Sequence, residues 1–337
     1  MRAASGTLEH MDFIAIGDTT VDEFIKLKDA QVHCNLDHEN CTISMSWGDK
    51  IPYEFSKRVA GVGNAANAGV AAARLGLSTA FLSNIGDDPY GKEILNVFER
   101  EGLDARYVRT NALTATNHDY VLWFNAERTI LVRHEDYPYA IPDDFVAPRW
   151  VYLSSAGRSP EFHLALAQWC TEHPETKLAF QPSTFEMALG TEQLAPLYRA
   201  SELVACNKEE AERILGLGET AITELLERLH ALGPRLVLVT DGPRGAYASD
   251  GARKLHVPMY PDPKPPVDRT GAGDATTSTF VAALALGKPL DDALRWGPVN
   301  SMSVVQEIGA QRGLLSREKL ETYLAEAPAE YTVTPLV

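Results

Sequence analysis

The chain has 337 residues, of which 45% are hydrophobic, enough to bury one large α/β core or two smaller ones. Its 31 basic and 46 acidic side chains give a formal charge of -15 without a basic run, which argues against a nucleic-acid partner, because phosphate backbones require clustered lysine and arginine. No apolar segment approaches the roughly 20 residues of a membrane-spanning helix, so we expect no membrane partner and a cytoplasmic location.

The N-terminus and the cysteines add little to this picture. We expect residues 1–10 to be a tag or a disordered N-terminus, because they lack an apolar pattern, and the domain to span residues 11–337. Cys34, Cys41, Cys170 and Cys206 form no C-x-x-C pair and have no zinc-like spacing. We expect four reduced thiols, with a disulfide between Cys34 and Cys41 as the alternative.

Short apolar runs alternate with helical patterns along most of the chain. The predicted strands cover residues 12–17, 79–83, 150–154, 177–180, 203–206 and 236–240, and the predicted helices cover residues 64–75, 90–101, 160–173, 208–215 and 221–232. This alternation predicts an α/β fold with a mostly parallel central sheet and helices on both faces. Ligands bind such folds at the carboxyl ends of the strands.

Two segments, about residues 23–57 and 113–135, depart from this alternation. They are richer in β-branched and aromatic residues, so we expect them to meet as a small β-sheet, a lid that keeps water off the site. The alternative is a pair of unrelated surface excursions. The aromatic side chains of these segments fit either stacking on a nucleobase or the apolar face of a dimer; they are Phe24, Trp47, Tyr53, Phe55, Trp123 and Phe124.

The most informative motif is Asp268-Arg269-Thr270-Gly271-Ala272-Gly273-Asp274, which precedes a small apolar helix. At such a helix N-terminus several backbone N–H groups point at one spot where the helix dipole is positive, and a carboxylate stands beside them. Phosphoryl transfer to a hydroxyl requires both an anion hole and a group that takes the acceptor proton. The alternative is a glycine-rich helix start capped by an aspartate.

This motif resembles the C-terminal signature of the ribokinase-like (PfkB) carbohydrate and nucleoside kinases. Residues 61–67, 71–76 and 85–91 resemble the N-terminal signature, and the resemblance extends from Phe13 to about Gly313. It implies a ribokinase-like three-layer sandwich with a small β-sheet lid. It also implies ATP as co-substrate, Mg²⁺, a small sugar or nucleoside as acceptor, and a homodimer through the lid.

The resemblance also implies roles at the motif itself. Asp274 corresponds to the catalytic base, and Gly271, Ala272 and Gly273 supply the N–H groups that hold the transferring phosphoryl oxygens. Asp268 and Thr270 match positions that hold a monovalent cation in many relatives, which makes K⁺ activation a hypothesis.

The remaining nucleotide contacts come from three segments. Asn207-x-x-Glu210 matches a family motif that places Mg²⁺, held by Glu210 through water, beside the nucleotide phosphates; the same residues fit a helix capping box. Thr240, Gly242 and Gly245 form a turn that contacts ATP in the family, although a tight hairpin turn uses the same residue types. Asn300 is implied as the polar contact of the adenine pocket.

On the acceptor side, the resemblance implies Asp22, Gly63 and Asn67 as sugar contacts. A carboxylate accepts two hydrogen bonds and an amide both donates and accepts, which suits neighbouring hydroxyls. Asp18 is the alternative to Asp22. The chain also departs from the family: Val62 replaces a glycine, and Gln181-Pro182-Ser183 stands where many sugar kinases carry Asp-x-Asn.

The sequence favours an ATP-dependent kinase that phosphorylates a hydroxyl of a small sugar. A nucleoside kinase is the first alternative. A phosphorylated acceptor is another, because basic side chains lie in or beside the lid segments, namely Lys26, Lys28, Lys57, Arg58 and Arg133. A catalytically silent ligand-binding protein on the same fold remains open. A dinucleotide-dependent oxidoreductase fits poorly, because Gly61 and Gly63 lack the third glycine of that fingerprint.

Overall fold

The computed structural model describes residues 11–33, 41–124 and 127–336, and the structural statements below concern these ranges. The expected tag at residues 1–10 and the Cys34 side chain lie outside them. Helices α1 to α10 comprise Asn64–Arg74, Pro89–Glu101, Pro160–Glu172, Thr184–Leu189, Ala195–Ala200, Lys208–Leu215, Ile222–His230, Ala272–Ala285, Leu290–Val304 and Arg317–Ala325. A 3₁₀ turn spans Gly242–Arg244.

The strands belong to one large sheet and two small ones. Strands β1 to β8 comprise Phe13–Ile16, Thr20–Leu27, Gln31–His33, Thr42–Ser44, Tyr53–Val62, Thr79–Gly86, Asp104–Asn111 and His118–Phe124. Strands β9 to β16 comprise Glu127–Leu131, Trp150–Leu153, Lys177–Phe180, Leu203–Asn207, Leu236–Thr240, Ala246–Ser249, Lys254–Val257 and Thr334–Pro335. The strands and helices predicted above form, with bounds that differ by at most three residues.

The large sheet has ten strands in the order β16-β15-β14-β13-β12-β11-β10-β1-β6-β7. Pairing is parallel from β13 to β7, whereas β14, β15 and β16 add antiparallel strands at one edge. The predicted mostly parallel sheet is therefore confirmed. Its carboxyl edge collects the residues that follow β1, β10, β11, β12 and β13.

Side chains that alternate along each strand build two apolar layers against the sheet. In β1, Phe13 and Ala15 face a core formed with α1, α8 and α9, while Ile14 and Ile16 face a second core formed with α3 and α5. Helices α6 and α7 extend the second layer over β13. Strands buried on both faces need uniformly apolar residues, which explains the short apolar runs of the sequence. The arrangement is a three-layer sandwich.

The two segments that depart from the alternation form one small sheet, in the order β5-β2-β8-β9. Strands β2 and β8 are parallel, and the outer pairs are antiparallel. Asp22 stands opposite Asp119 in the β2–β8 register, so both side chains lie on the same face of this sheet. The predicted small sheet is confirmed, and we refer to these four strands as the lid.

The cysteine prediction was wrong for one residue. Cys41 is disulfide-bonded, whereas Cys170 and Cys206 are free and buried. The sequence offers a disulfide at Cys41 only as the alternative, because the spacing of its cysteines matches no known motif. Within the described ranges, no helix is long and apolar enough to cross a membrane.

Candidate active site

A cavity of about 670 Å³ opens at the carboxyl edge of the large sheet, beneath the lid. Neighbouring strands lie about 4.8 Å apart, so the four steps from β13 to β1 extend over about 19 Å. We call the part near Asp18, Asp22, Asp119 and His134 the lid end, and the part near Asn207, Glu210 and Thr240 the β13 end. The first turn of α8 borders the cavity between them.

Asp274 stands in this first turn, and both of its carboxylate oxygens accept a hydrogen bond from an amide. Asn67 Nδ2 donates to Oδ2 at 2.9 Å, and Gln181 Nε2 donates to Oδ1 at 3.1 Å. Burial raises the pKa of Asp274, whereas the two amides and the charge of Arg128 act in the opposite direction. The carboxylate is thus fixed in place and still open to the cavity.

The turn before Asp274 depends on a glycine in the left-handed region. Gly271, the N-cap of α8, has a φ of 78°, and a Cβ there would lie 2.3 Å from the Cβ of Ala310. Gly273, two residues later, is exposed and has open space around its Cα. The N–H groups of this first turn have no acceptor within their own helix, and that of Ala272 donates to the Arg269 carbonyl only at a long 3.4 Å, so the turn presents donors to an anion.

Three carboxylates converge at the lid end. Asp18 Oδ1 accepts a hydrogen bond of 2.6 Å from the Tyr139 hydroxyl, and Asp119 Oδ1 accepts one of 2.9 Å from the Arg133 backbone N–H. Burial, reinforced by the charge of Asp119, raises the pKa of Asp22 to about 7. Asp18 and Asp22, which the sequence gave as alternatives, both line the cavity.

His134 lies between two of these carboxylates. Its Nε2 is 3.2 Å from Asp119 Oδ2, and its Nδ1 is 3.6 Å from Asp18 Oδ2. Burial lowers the pKa of His134, but the hydrogen bond to Asp119 and the charges of Asp119 and Asp18 outweigh burial and raise it to about 9. The imidazole is therefore protonated at neutral pH and joins the lid to the end of β1.

Gly63 and Asn67 complete the lid end. Gly63 is the N-cap of α1 with a φ of 115°, and a Cβ there would lie 2.9 Å from the Asp18 carbonyl oxygen. Asn67 Oδ1 accepts a hydrogen bond of 3.0 Å from Gln311 Nε2, which fixes the orientation of the Asn67 amide. Asn67 thus connects the lid end of the cavity with Asp274.

At the β13 end, Asn207 and Glu210 form a capping box at the start of α6. Asn207 Oδ1 accepts from the Glu210 backbone N–H at 2.8 Å, and Glu210 Oε2 accepts from the Asn207 backbone N–H at 2.9 Å. Burial raises the pKa of Glu210, and the charge of Asp274 contributes. Both side chains, with Thr240, line the cavity, so the capping role does not remove them from it.

Asp268 organises the loop that precedes α8. Its Oδ1 accepts from the backbone N–H and the hydroxyl of Thr270, at 2.9 and 2.6 Å, and its Oδ2 accepts from the Gly309 N–H at 2.9 Å. The Arg128 guanidinium of the lid lies 3.8 Å from Asp268 Oδ1. The described residues contain no cluster of three or more histidine, cysteine, aspartate or glutamate side chains suited to a metal ion.

The family model of the pfkB family carbohydrate kinases matches residues 46–317. The chain belongs to this family. It is 28% identical over 270 residues to the ribokinase of Bacillus subtilis, covering 78% of this chain and 87% of the relative. It is 30% identical over 261 residues to the fructokinase of Klebsiella pneumoniae, covering 74% and 84% respectively.

Solved structures agree on the fold. The Arabidopsis thaliana ribokinase complexed with ribose and ATP superposes with a TM-score of 0.80 at 21% identity, over 94% of this chain and 99% of that one. A nucleoside kinase of Methanocaldococcus jannaschii gives 0.75 at 20% identity, over the same shares of the two chains. This chain is a carbohydrate kinase with a ribokinase fold, and the expected family and fold class are confirmed.

Not every residue singled out in the sequence lies at the cavity of this pfkB-family chain. Gly242 and Gly245 bound the 3₁₀ turn after β13 and are absent from the described cavity lining. Asn300 is fully buried in α9, where Nδ2 donates to the Thr279 hydroxyl at 2.7 Å and Oδ1 accepts from the Leu315 N–H at 2.8 Å. Their contact with ATP stays a prediction.

The lid aromatics also lie elsewhere. Phe24 is buried, Trp47 and Tyr53 are exposed, and Phe55 packs edge-to-face on Trp123 at 6.1 Å. None of the six aromatic side chains noted in the sequence belongs to the described cavity lining, whose aromatic rings come from His134 and Phe185. These positions give no support to stacking of the six on a nucleobase.

The sequence missed three cavity residues, Asp119, Arg128 and His134, and left Gln181 without a role. Asp119 did give a signal: aspartate is depleted in strands, and here it precedes the aromatic and aliphatic residues of β8. Arg128 and His134 gave no local signal in the sequence, because their place at the cavity depends on the lid folding back over α8.

Proposed function

We propose that this chain transfers the γ-phosphoryl group of ATP to a hydroxyl of a small, uncharged sugar, with Asp274 as the general base. The observation that carries the proposal is the doubly hydrogen-bonded Asp274 carboxylate beside the first turn of α8. In the reaction the acceptor oxygen bonds to phosphorus, the bond from phosphorus to the ADP oxygen breaks, and the hydroxyl proton passes to Asp274.

The N–H groups of Gly271, Ala272 and Gly273 are proposed to hold the transferring phosphoryl oxygens. They suit this role because they are fixed before the reaction and lie at the positive end of the α8 dipole. Arg128, 3.8 Å from Asp268, adds a positive charge to the same part of the cavity. Phosphate groups are therefore favoured at α8 and toward the β13 end, where Thr240, Asn207 and Glu210 line the cavity.

Glu210 fits a water-mediated Mg²⁺ site, because its carboxylate lines the cavity and Mg²⁺ prefers oxygen ligands while keeping several waters. Mg²⁺ bound there would offset the charge of the nucleotide phosphates. Asp268 and Thr270 fit K⁺ less well, because both Asp268 oxygens already accept hydrogen bonds and Arg128 lies beside one of them. K⁺ activation stays a prediction, and replacing K⁺ with a bulky organic cation in the assay tests it.

The acceptor is proposed to bind at the lid end, with Asp22, Gly63 and Asn67 as contacts. The three carboxylates there favour hydroxyl donors and disfavour a second phosphate. Four of the five basic side chains considered for a phosphorylated acceptor contact other groups: Lys57 donates to the Ile308 carbonyl, Arg58 pairs with Glu23, Arg133 pairs with Glu135, and Lys26 lies over the Trp123 ring. None of these cations lines the described cavity.

The lid also supports a proposed homodimer. Of the twelve large apolar side chains that are exposed in the described ranges, nine lie between residues 32 and 55 or between 120 and 132. Five of these nine lie on the lid strands β5, β8 and β9, and such a concentration is typical of an interaction surface. Sedimentation velocity at increasing protein concentration tests it, with Leu131→Lys expected to weaken association. The cytoplasmic location and the extent of the kinase domain, residues 11–337, stay predictions.

The test is a coupled ADP-release assay with ATP and Mg²⁺ against sugars, sugar phosphates, sugar acids and nucleosides. We expect turnover with an uncharged sugar. Asp274→Asn should lower kcat by roughly two to four orders of magnitude while ATP affinity stays within about threefold, because a positioned base is lost and the anion hole is kept. Asp292→Asn, an exposed aspartate of α9, is the matched control.

Each alternative has its own outcome. Turnover with nucleosides alone would replace the sugar proposal with a nucleoside kinase. Preference for a sugar phosphate over its parent sugar would contradict our interpretation of the lid end. ATP binding without turnover on any acceptor would favour a silent binding protein.

A further inference from the structure

The Gln181 side chain occupies the position where the sequence departs from the family pattern. Gln181 directly follows β11, and its backbone N–H donates to the Leu153 carbonyl at 2.9 Å, so it extends the ladder between β10 and β11. Its side chain is 8% exposed and reaches Asp274 with Nε2 at 3.1 Å from Oδ1. A residue at the end of a central strand is held more firmly than one on a loop.

A buried tyrosine behind Gln181 sets the orientation of its amide. The Tyr152 hydroxyl of β10 donates a hydrogen bond to Gln181 Oε1, so Nε2 is the atom that faces Asp274. Tyr152 is fully buried and stacks on Phe13 at 5.9 Å. Burial raises the pKa of Tyr152 far above its usual value, so this hydroxyl keeps the proton that orients the amide.

A second pair of amides mirrors this arrangement on the other carboxylate oxygen. Gln311 Nε2 donates to Asn67 Oδ1 at 3.0 Å and to the Gly61 carbonyl at 2.7 Å, and Asn67 Nδ2 donates to Asp274 Oδ2 at 2.9 Å. Each carboxylate oxygen of Asp274 thus accepts a hydrogen bond from an amide, and the oxygen of that amide accepts a hydrogen bond from a further side chain. A carboxylate bound at one oxygen only keeps freedom to rotate about its χ2 angle.

We propose that Gln181 is a positioning residue, which with Tyr152 behind it fixes the plane and direction of the Asp274 carboxylate toward the acceptor hydroxyl. This inference rests on the proposed function, because it assumes that Asp274 is the base. Gln181 acts through Asp274 and is assigned no contact with the reacting atoms. This role accounts for the glutamine of Gln181-Pro182-Ser183, the segment that stands where many sugar kinases carry Asp-x-Asn.

The physical reason is alignment. Proton acceptance in a loose phosphoryl-transfer transition state demands a base in line with the hydroxyl, and a misplacement of about 1 Å costs on the order of 100-fold in rate. The Gln181 donor also favours the ionised form of Asp274, in opposition to burial. Within the described ranges the other titratable groups that face Asp274 are Arg128 of the lid, Glu210 of α6 and Tyr152.

The experiment compares pH profiles of kcat for three variants. Gln181→Met keeps the volume and removes the donor; we expect kcat to fall about 10- to 100-fold with KM for ATP nearly unchanged. The acid limb of its profile should move up by about one pH unit. Gln181→Glu should move the acid limb to still higher pH, because a second carboxylate then faces Asp274. Tyr152→Phe should move it less than Gln181→Met does, because the Gln181 amide is kept and loses only the hydrogen bond that fixes its orientation.

Tyr198→Phe is the matched control, since it also removes a hydroxyl from a buried tyrosine that packs on a strand residue, here Phe180 at 5.3 Å. We expect it to match the wild-type profile. The proposal is overturned if Gln181→Met keeps the wild-type acid limb, or if Tyr152→Phe behaves like Tyr198→Phe. A merely structural role would lower kcat equally at every pH.

A second measurement does not depend on turnover. The Asp274 carboxyl carbon, labelled with ¹³C and assigned by its loss in Asp274→Asn, is titrated by NMR in wild type and in each variant. The midpoint should rise in the order wild type, Tyr152→Phe, Gln181→Met, Gln181→Glu. Absence of turnover in the wild type would refute the proposed function, whereas an unchanged midpoint in Gln181→Met would refute the role of Gln181 alone.

Discussion

A methyl group added at Gly271 would overlap with Ala310, whereas one added at Gly273 would meet open space. Substitution of Gly271 by alanine therefore tests stability, and substitution of Gly273 tests activity. At Gly271 the φ of 78° costs an alanine about 1–2 kcal/mol. The added Cβ would also lie 2.3 Å from the Ala310 Cβ and 2.7 Å from its Cα, an overlap that costs a further 1–3 kcal/mol or so. We expect Gly271→Ala to lower the free energy of unfolding by about 2–5 kcal/mol.

Gly251→Ala is the matched control for the backbone contribution. Gly251 also has a positive φ, of 85°, but a Cβ there meets nothing within 4 Å, so only about 1–2 kcal/mol should be lost. The difference between the two variants measures the overlap with Ala310. Urea unfolding followed by circular dichroism gives both values, and equal losses would refute the packing argument.

Gly273→Ala should behave in the opposite way. A Cβ there meets nothing within 4 Å and the residue lies in α8, so stability should be unchanged or rise by up to about 1 kcal/mol. The methyl group would nevertheless stand where the phosphoryl oxygens approach the N–H groups, so kcat should fall roughly 10- to 100-fold, somewhat less than for the loss of an oxyanion donor. Wild-type turnover in Gly273→Ala would refute the anion hole at this turn.

Three other perturbations have defined outcomes. Because burial raises the pKa of Asp22 to about 7, its contribution to stability is present at low pH and is lost as the pH rises through 7. Between pH 5 and pH 8 the free energy of unfolding of wild type should fall by about 2–3 kcal/mol relative to that of Asp22→Asn. The same pH dependence of this free energy in both proteins, measured by urea unfolding, would contradict the prediction. His163→Leu leaves the fully buried Glu186 carboxylate without the imidazole nitrogen 3.1 Å away, so urea unfolding should show a loss of about 3 kcal/mol. A loss below about 1 kcal/mol would show that this contact contributes little to stability. Arg74→Met removes hydrogen bonds to Glu101 and to the Gln311 and Leu314 carbonyls, which should lower the free energy of unfolding by about 1–3 kcal/mol. Because Gln311 donates to Asn67, the acceptor KM should also rise. An unchanged KM would show that Arg74 does not affect the position of Asn67.

The local pattern of apolar and small residues was sufficient to predict most strands and helices of the fold. Short runs such as residues 13–16 are apolar at every position because both faces of the strand are buried, and this signal is contained in the residues themselves. The start of α8 was equally visible, because the glycines and the small apolar run that follows them form a local unit. The disulfide at Cys41 could be named from the sequence only as an alternative, because disulfide formation depends on the geometry that brings two cysteines together.

The sequence by itself determined that this is an α/β chain with a glycine-rich helix start, an aspartate at that start, and a family resemblance that the comparisons confirm. Only the tertiary structure decided what surrounds Asp274. Gln181, Asn67 and Asp274 are separated by more than 90 residues in the chain, and they meet because β11, α1 and α8 converge at one edge of the sheet. Likewise His134 reaches Asp18 only because the lid folds over the end of β1. Contacts between distant segments depend on packing of the whole domain, and no local pattern of residues encodes them.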